Sequence, residues 1–186
     1  MITLKEDARK TPLFHVIVIV ALGVALITLP AYKVLSLIEV NDFIAFNLGG
    51  GIWRIAIAVV ALIFIYKYGF NKVVFNRLGL KNILFIIPIL LVAINNFPII
   101  GASRGTVIFT HGTLDNLIYV LYCLSVGLAE QLIFTGLVFP LFTIYFKDKK
   151  HTLFLAVVCT GIAFSLSHLM NLFGGASIGQ VALQVG

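Results

Sequence analysis

The sequence predicts an all-α fold, a polytopic membrane helix bundle of about five spans plus the start of a sixth. Three observations lead there. The chain is 61% hydrophobic, with a mean hydropathy of +1.12. Only 11% of its residues are charged, against about 25% in soluble domains, so water cannot be the solvent for most of its surface. Its apolar residues run in blocks close to the ~20 residues that cross a bilayer, with lysine and arginine gathered between the blocks. The formal charge of +6 therefore reads as membrane orientation, and no nucleic-acid partner is expected.

The elements follow in order. "LFHVIVIVALGVALITLP" opens the first span, Leu13–Tyr32, after Lys5, Arg9 and Lys10. It is longer than the roughly 7–15 apolar residues of a signal peptide and lacks a cleavage site, so it is a retained span. The second span is Gly51–Tyr66 and the third is Ile83–Ile100. The third carries Pro88, Asn95, Asn96 and Pro98, which predict a kink and polar groups turned away from lipid. Asp115–Phe146 and Thr152–Phe173 are the fourth and fifth, and a further helix begins near Ser177. Neither repeats nor low-complexity linkers interrupt the chain, so residues 1–186 read as a single integral membrane domain.

Basic residues alternate between rich and poor segments. The N-terminal tail is rich, the first loop and its edge hold only Lys33 and Arg54, and the second loop is rich again (Lys67, Lys72, Arg77, Lys81). The third has Arg104 alone, and the fourth carries Lys147, Lys149 and Lys150. This alternation predicts a cytoplasmic N-terminus and about five crossings. Asp115–Phe146 then crosses once despite its length, by tilting or bending, with Gly127, Gly136 and Pro140 as bending points. Cys123 and Cys159 lie inside apolar runs and read as buried, inert thiols.

Against this background one acid stands out. Glu130 lies 16 residues before Phe146, and His168 lies 16 residues after Thr152. Both distances correspond to about 24 Å of helix from the same side of the membrane. The deep acid and the deep histidine thus fall at one level on adjacent antiparallel helices. Phe164, His168 and Asn171 share a helix face, as do Glu130 with Phe134 and Gln131 with Thr135. A water held between Glu130 and His168 could lose a proton to one of them, since burial strengthens a carboxylate as a base. Asn171 would orient a substrate carbonyl or the water. The plainer alternatives are a hydrogen-bonding spacer for His168 and a proton relay or interhelical anchor for Glu130. His15 and His111 are expected at interfaces, and His151, beside "KDKK", in solvent. His-Glu-x-x-His, Gly-x-Ser-x-Gly and Walker patterns are all missing from the sequence.

"AEQLIFTGLVFPLF" followed by "GIAFSLSHLMNLFGG" resembles the CAAX protease and bacteriocin-processing family of intramembrane endopeptidases, over about residues 118–175. That family's first motif is Glu-Glu-x-x-x-Arg and its second is Phe-x-x-x-His, often continuing His-Leu-x-Asn. The resemblance implies that Glu130 is the catalytic water-activating base. It makes His168 the histidine that holds the water or a metal, zinc being the metal shared by His168 and Glu130 in such a site. Phe134, Phe164 and Asn171 match as supporting residues, and so does Gly136. Two supporting positions depart from the family: Gln131 stands for the second glutamate and Thr135 for the arginine. In the family these form an ion pair one helical turn long. Losing one charge would strand the other at a cost of about 3–5 kcal/mol, whereas losing both leaves an amide facing a hydroxyl. A later His-x-x-x-Asn motif has no counterpart before Gly186, where the sequence stops inside an apolar helix as a truncated product would.

The leading expectation is a peptidase that cleaves a peptide or protein substrate in or near the lipid bilayer, in the style of the bacterial members and their cell membrane. A second is a catalytically silent relative acting as a bacteriocin self-immunity or peptide-binding membrane protein. A third is a small proton-coupled transporter with Glu130 as relay.

Overall fold

The computed structural model describes residues 4–29, 33, 41–74, 112–172 and 177–185. These residues form helices and no strand. Among the described residues, three helices are long and apolar enough to cross a membrane, or four when the bent pair at the N-terminus is taken as one span. The predicted span Ile83–Ile100, with its prolines and asparagines, lies outside the described residues, as does His111.

Helix α1 (Leu4–Lys10) meets α2 (Pro12–Thr28) at a bend of 111°. The cause is local. Pro12 has no N–H to continue α1 and pushes Thr11 out of the helical region, to φ −128° and ψ 53°. Ala8 is buried against the bundle while Lys5, Glu6, Arg9 and Lys10 are exposed, so α1 lies along the bundle with its charges outward. The same effect ends α2 early. Leu29, which precedes Pro30, is extended, and the helix stops at Thr28 before the predicted Tyr32.

Helix α3 (Asp42–Tyr68) begins nine residues before the predicted Gly51. Asn41 caps it, its side chain accepting from the Phe43 N–H at 2.9 Å. The run Gly49-Gly50-Gly51 stays helical because it is a contact surface. A Cβ on Gly50 would stand 2.9 Å from the Tyr122 ring, and one on Gly51 would stand 3.7 Å from the Tyr122 backbone. Small residues let two helices approach this closely in lipid. Gly69, at φ +75°, closes the helix, and Phe70 N–H returns to the Ile65 carbonyl at 2.9 Å. A short turn, α4 (Asn71–Val74), follows.

Helix α5 (Thr113–Tyr145) is a single 33-residue helix, as expected for one crossing. Phe134–Val138 is a π-helical turn within it, closed by Phe139 N–H to the Phe134 carbonyl. Pro140 cannot donate to the Gly136 carbonyl, so the widened turn falls where the ordinary ladder is already broken. Gly136 and Pro140 thus sit at the irregularity, whereas Gly127 lies in regular α-helix and bends nothing. Helix α6 (Thr152–His168) runs on into a 3₁₀ turn, Leu169–Leu172, and α7 (Ile178–Val185) comes after.

Helices α3 and α5 run in the same direction, because Phe46 meets Tyr122 and, further along both, Gly51 meets Ser125. Helix α2 runs against both, with Trp53 Nε1 donating to the Leu26 carbonyl at 2.8 Å and Gly23 facing Ile133. The core forms where they meet, around Ile57, Ala61, Ile65, Leu132, Val138 and Leu141. Helix α6 is different: Ala156 is its only buried residue among those described. It leans on α5 through the Phe134–Phe164 edge contact, with ring centres 5.1 Å apart, and leaves Leu153, Phe154 and Val157 exposed for lipid. Cys123 is exposed as well, and Cys159 half-buried. The expected buried thiol at Cys123 is corrected by the rotation of α5, which spends its other face on α3.

Candidate active site

Glu130 lies near the middle of α5, 17 residues from Thr113 and 15 from Tyr145. His168 is the last residue of α6. The antiparallel packing of α6 on α5 brings the two to one cavity of about 290 Å³, completed by the C-terminal end of α2 and the middle of α3. The common level read from the sequence is therefore the level at which they meet.

The histidine is held in a defined state. Its Nδ1 is 3.0 Å from the Phe164 carbonyl, one turn back on the same helix. A carbonyl only accepts, so Nδ1 carries the proton and Nε2 of the neutral ring keeps its lone pair. Phe164 also packs against the imidazole, with ring centres 4.4 Å apart, and its other edge meets Phe134. The Phe164–His168 spacing seen in the sequence thus sets both the tautomer and the position of the ring.

No ion pair closes on Glu130 among the described residues. Its carboxylate faces the cavity within electrostatic reach of His168 and of Arg54. A water between Glu130 and His168 would meet two acceptors, the carboxylate and Nε2, and could donate one O–H to each. Its oxygen lone pair would then point away from both, towards whatever occupies the cavity. Phe134 and Asn171 also line this space.

Gln131 and Thr135 do not. Both are exposed, and Thr135 Oγ1 donates to Gln131 Oε1 at 2.8 Å. The neutral pair expected from the sequence is present as a hydrogen bond, but one residue of rotation carries it off the cavity onto the outer face of α5.

Four polar residues of the cavity were not singled out as site residues: Thr28, Arg54, Tyr122 and Ser167. Arg54 is the informative one. From the sequence Arg54 reads as a flanking charge, because the expected span starts at Gly51. The Asn41 cap starts the helix earlier, which places Arg54 at mid-span, 12 residues from Asp42 and 14 from Tyr68. The signal was available in "NDF", a capping residue followed by an acid at a helix start.

A zinc shared by Glu130 and His168 would need a third protein ligand. A catalytic zinc takes three protein ligands, and no group of three or more His, Cys, Asp or Glu side chains gathers among the residues described.

His15, expected at an interface, is buried instead, at 6% exposure. The bend at Thr11–Pro12 folds Asp7 back to it, with Oδ2 3.2 Å from Nε2, and Tyr68 at the end of α3 places its hydroxyl 2.7 Å from Nδ1. This second histidine cluster ties α1, α2 and α3 together. His151 is exposed, as expected.

Residues 112–185 match the family described as Type II CAAX prenyl endopeptidase Rce1-like. The match begins at the foot of α5 and includes the π turn, α6 and α7. Comparison with curated proteins and with solved structures found no match.

Proposed function

We propose, from the match of residues 112–185 to the Type II CAAX prenyl endopeptidase Rce1-like family, that this protein hydrolyses a peptide bond within the membrane with a water activated by Glu130. The observation that carries the reading is that Glu130 and His168 line one cavity. Glu130 takes a proton from the water as it attacks the scissile carbonyl, and afterwards gives that proton to the leaving nitrogen. His168, with Nδ1 engaged by Phe164, holds the other O–H through Nε2 and fixes the direction of attack. Asn171 lines the cavity beside them, and its amide would donate to the carbonyl oxygen.

Phe134, Phe164, Gln131 and Thr135 support the two catalytic groups: the phenylalanines by packing, the neutral pair by bracing the turn that follows Glu130. The substrate is a peptide or protein reaching the bilayer. The alternation of basic loops supports a cytoplasmic N-terminus, and the short Phe- and Ile-rich spans resemble bacterial members. The test is cleavage of a membrane-delivered peptide by the purified protein and by its Glu130→Gln and His168→Ala variants. Equal cleavage by all three would overturn the assignment. A silent, peptide-binding relative is the second reading, favoured by the neutral Gln131–Thr135 pair where the family has an ion pair. It requires binding without turnover in the unaltered protein.

A further inference from the structure

A charged side chain at the centre of a membrane span costs about 2.5–3.5 kcal/mol on insertion scales, so one that persists there needs an occupation. Arg54 has half of one. Its Nη2 lies 3.4 Å from the Ile27 carbonyl, at the C-terminal end of α2 where carbonyls lack helical partners. That contact is long, and the same helix end is already held by the shorter bond from Trp53 to Leu26. Anchoring α2 therefore leaves much of Arg54 unused. Its Nη1 is buried and has no hydrogen-bond partner among the described residues. A guanidinium cannot lose its proton to escape the penalty of an unmet donor. Glu130 does not satisfy it, since no ion pair joins the two, yet both line the same cavity. The donor, the charge and the space beside them describe half of a binding contact.

Building on the peptidase reading, we propose that Arg54 is a substrate-binding residue of the same site, whose Nη1 receives a negatively charged oxygen of the bound peptide. Two oxygens have that chemistry. One is the terminal carboxylate of a substrate cut near its C-terminus. The other is the oxygen that gains charge when water adds to the scissile carbonyl. Either would complete the guanidinium and balance the cavity, because Glu130 becomes neutral as it takes the water's proton.

Two probes separate these sources: a prenylated cysteine peptide with a free terminal carboxylate, and the same peptide as its terminal amide. Binding is measured first in the full chain carrying Glu130→Gln, so that the result does not depend on turnover. If the terminal carboxylate is the partner, adding Arg54→Met weakens the free-acid peptide about tenfold or more and the amide little. Arg54→Lys restores part of that loss. If the oxyanion is the partner, both peptides bind as before. Then Arg54→Met on the otherwise unaltered chain lowers kcat about a hundredfold with KM unchanged. Loss of cleavage in every protein alongside intact, Arg54-dependent binding would sink the peptidase reading and keep this contact. Binding, kcat and KM all unchanged in a folded Arg54→Met protein would overturn it. So would losses that follow the melting temperature equally in Arg54→Met and Arg54→Lys, or no binding of either peptide.

Discussion

The molecule contains two histidine clusters built from similar parts and left in opposite states. At the folded-back N-terminus, His15 has both ring nitrogens engaged, by Asp7 and by Tyr68, and is nearly sealed from solvent. At the end of α6, His168 has Nδ1 engaged by a carbonyl of its own helix, and it lines a cavity with Glu130, Tyr122 and Arg54. The first cluster joins three helices and is complete within the chain. The second is assembled across four helices, and among the described residues it includes a buried donor, Arg54 Nη1, that has no hydrogen-bond partner. A satisfied buried network rigidifies a fold, whereas groups left facing a cavity are available to a ligand. The difference teaches that a buried histidine beside an acid is not in itself a site: the unspent hydrogen-bonding capacity around it is what matters.

The largest effect that would sharpen this contrast is Glu130→Gln. It should lower the cleavage rate about a thousandfold, while Asp7→Asn, the acid of the other cluster, leaves the rate per folded molecule within about twofold. Equal effects would erase the distinction. His168→Ala should cost about a hundredfold in rate with little change in melting temperature, because α6 is the least buried of the long helices. His15→Ala should do the reverse, lowering the melting temperature by stranding the buried Tyr68 hydroxyl, at about 1–3 kcal/mol.

Smaller effects test the packing between the clusters. Gly50→Ala drives a Cβ against the Tyr122 ring, which itself lines the cavity. A cost of about 1–3 kcal/mol and a moderate loss of activity are expected, and unchanged melting with unchanged activity would show that the α3–α5 contact yields easily. Gln131→Glu should not raise activity, since it puts an unpaired carboxylate on the outer face of α5. A gain would mean that the hydrogen bond from Thr135 fails to brace the turn. The smallest expected change is none: a metal chelator should leave cleavage intact, because the described residues offer no third ligand beside Glu130 and His168. Inhibition reversed by added zinc would show that ligands come from elsewhere in the chain.

Several features were legible before any folding was considered. A lone acid and a lone histidine, each in its own apolar run, are expected at a similar level from the helical rise, and the two line one cavity. The i, i+4 spacings gave Phe164 under His168 and Thr135 against Gln131, and both contacts are formed. Arg54 was misjudged because a glycine run imitates a helix boundary when its partner helix is unknown. Only with Tyr122 and Ser125 in place does that run become a contact surface inside a longer helix. His15 was misjudged because the bend at Pro12 is readable, but where the returning Asp7 lands is not.

By itself the sequence determined the helical class, the apolar character of the long helices and which neighbours share a helix face. These depend on composition and on a fixed helical repeat, both of which are local. The rotation of one helix against another decided the rest: that Glu130 faces the cavity while Gln131 faces outward, that Cys123 is exposed, and that Arg54 reaches the site with a donor to spare. Such rotations are set by close contacts between residues distant in the chain, here the glycines of α3 against Tyr122, and no single helix contains that information.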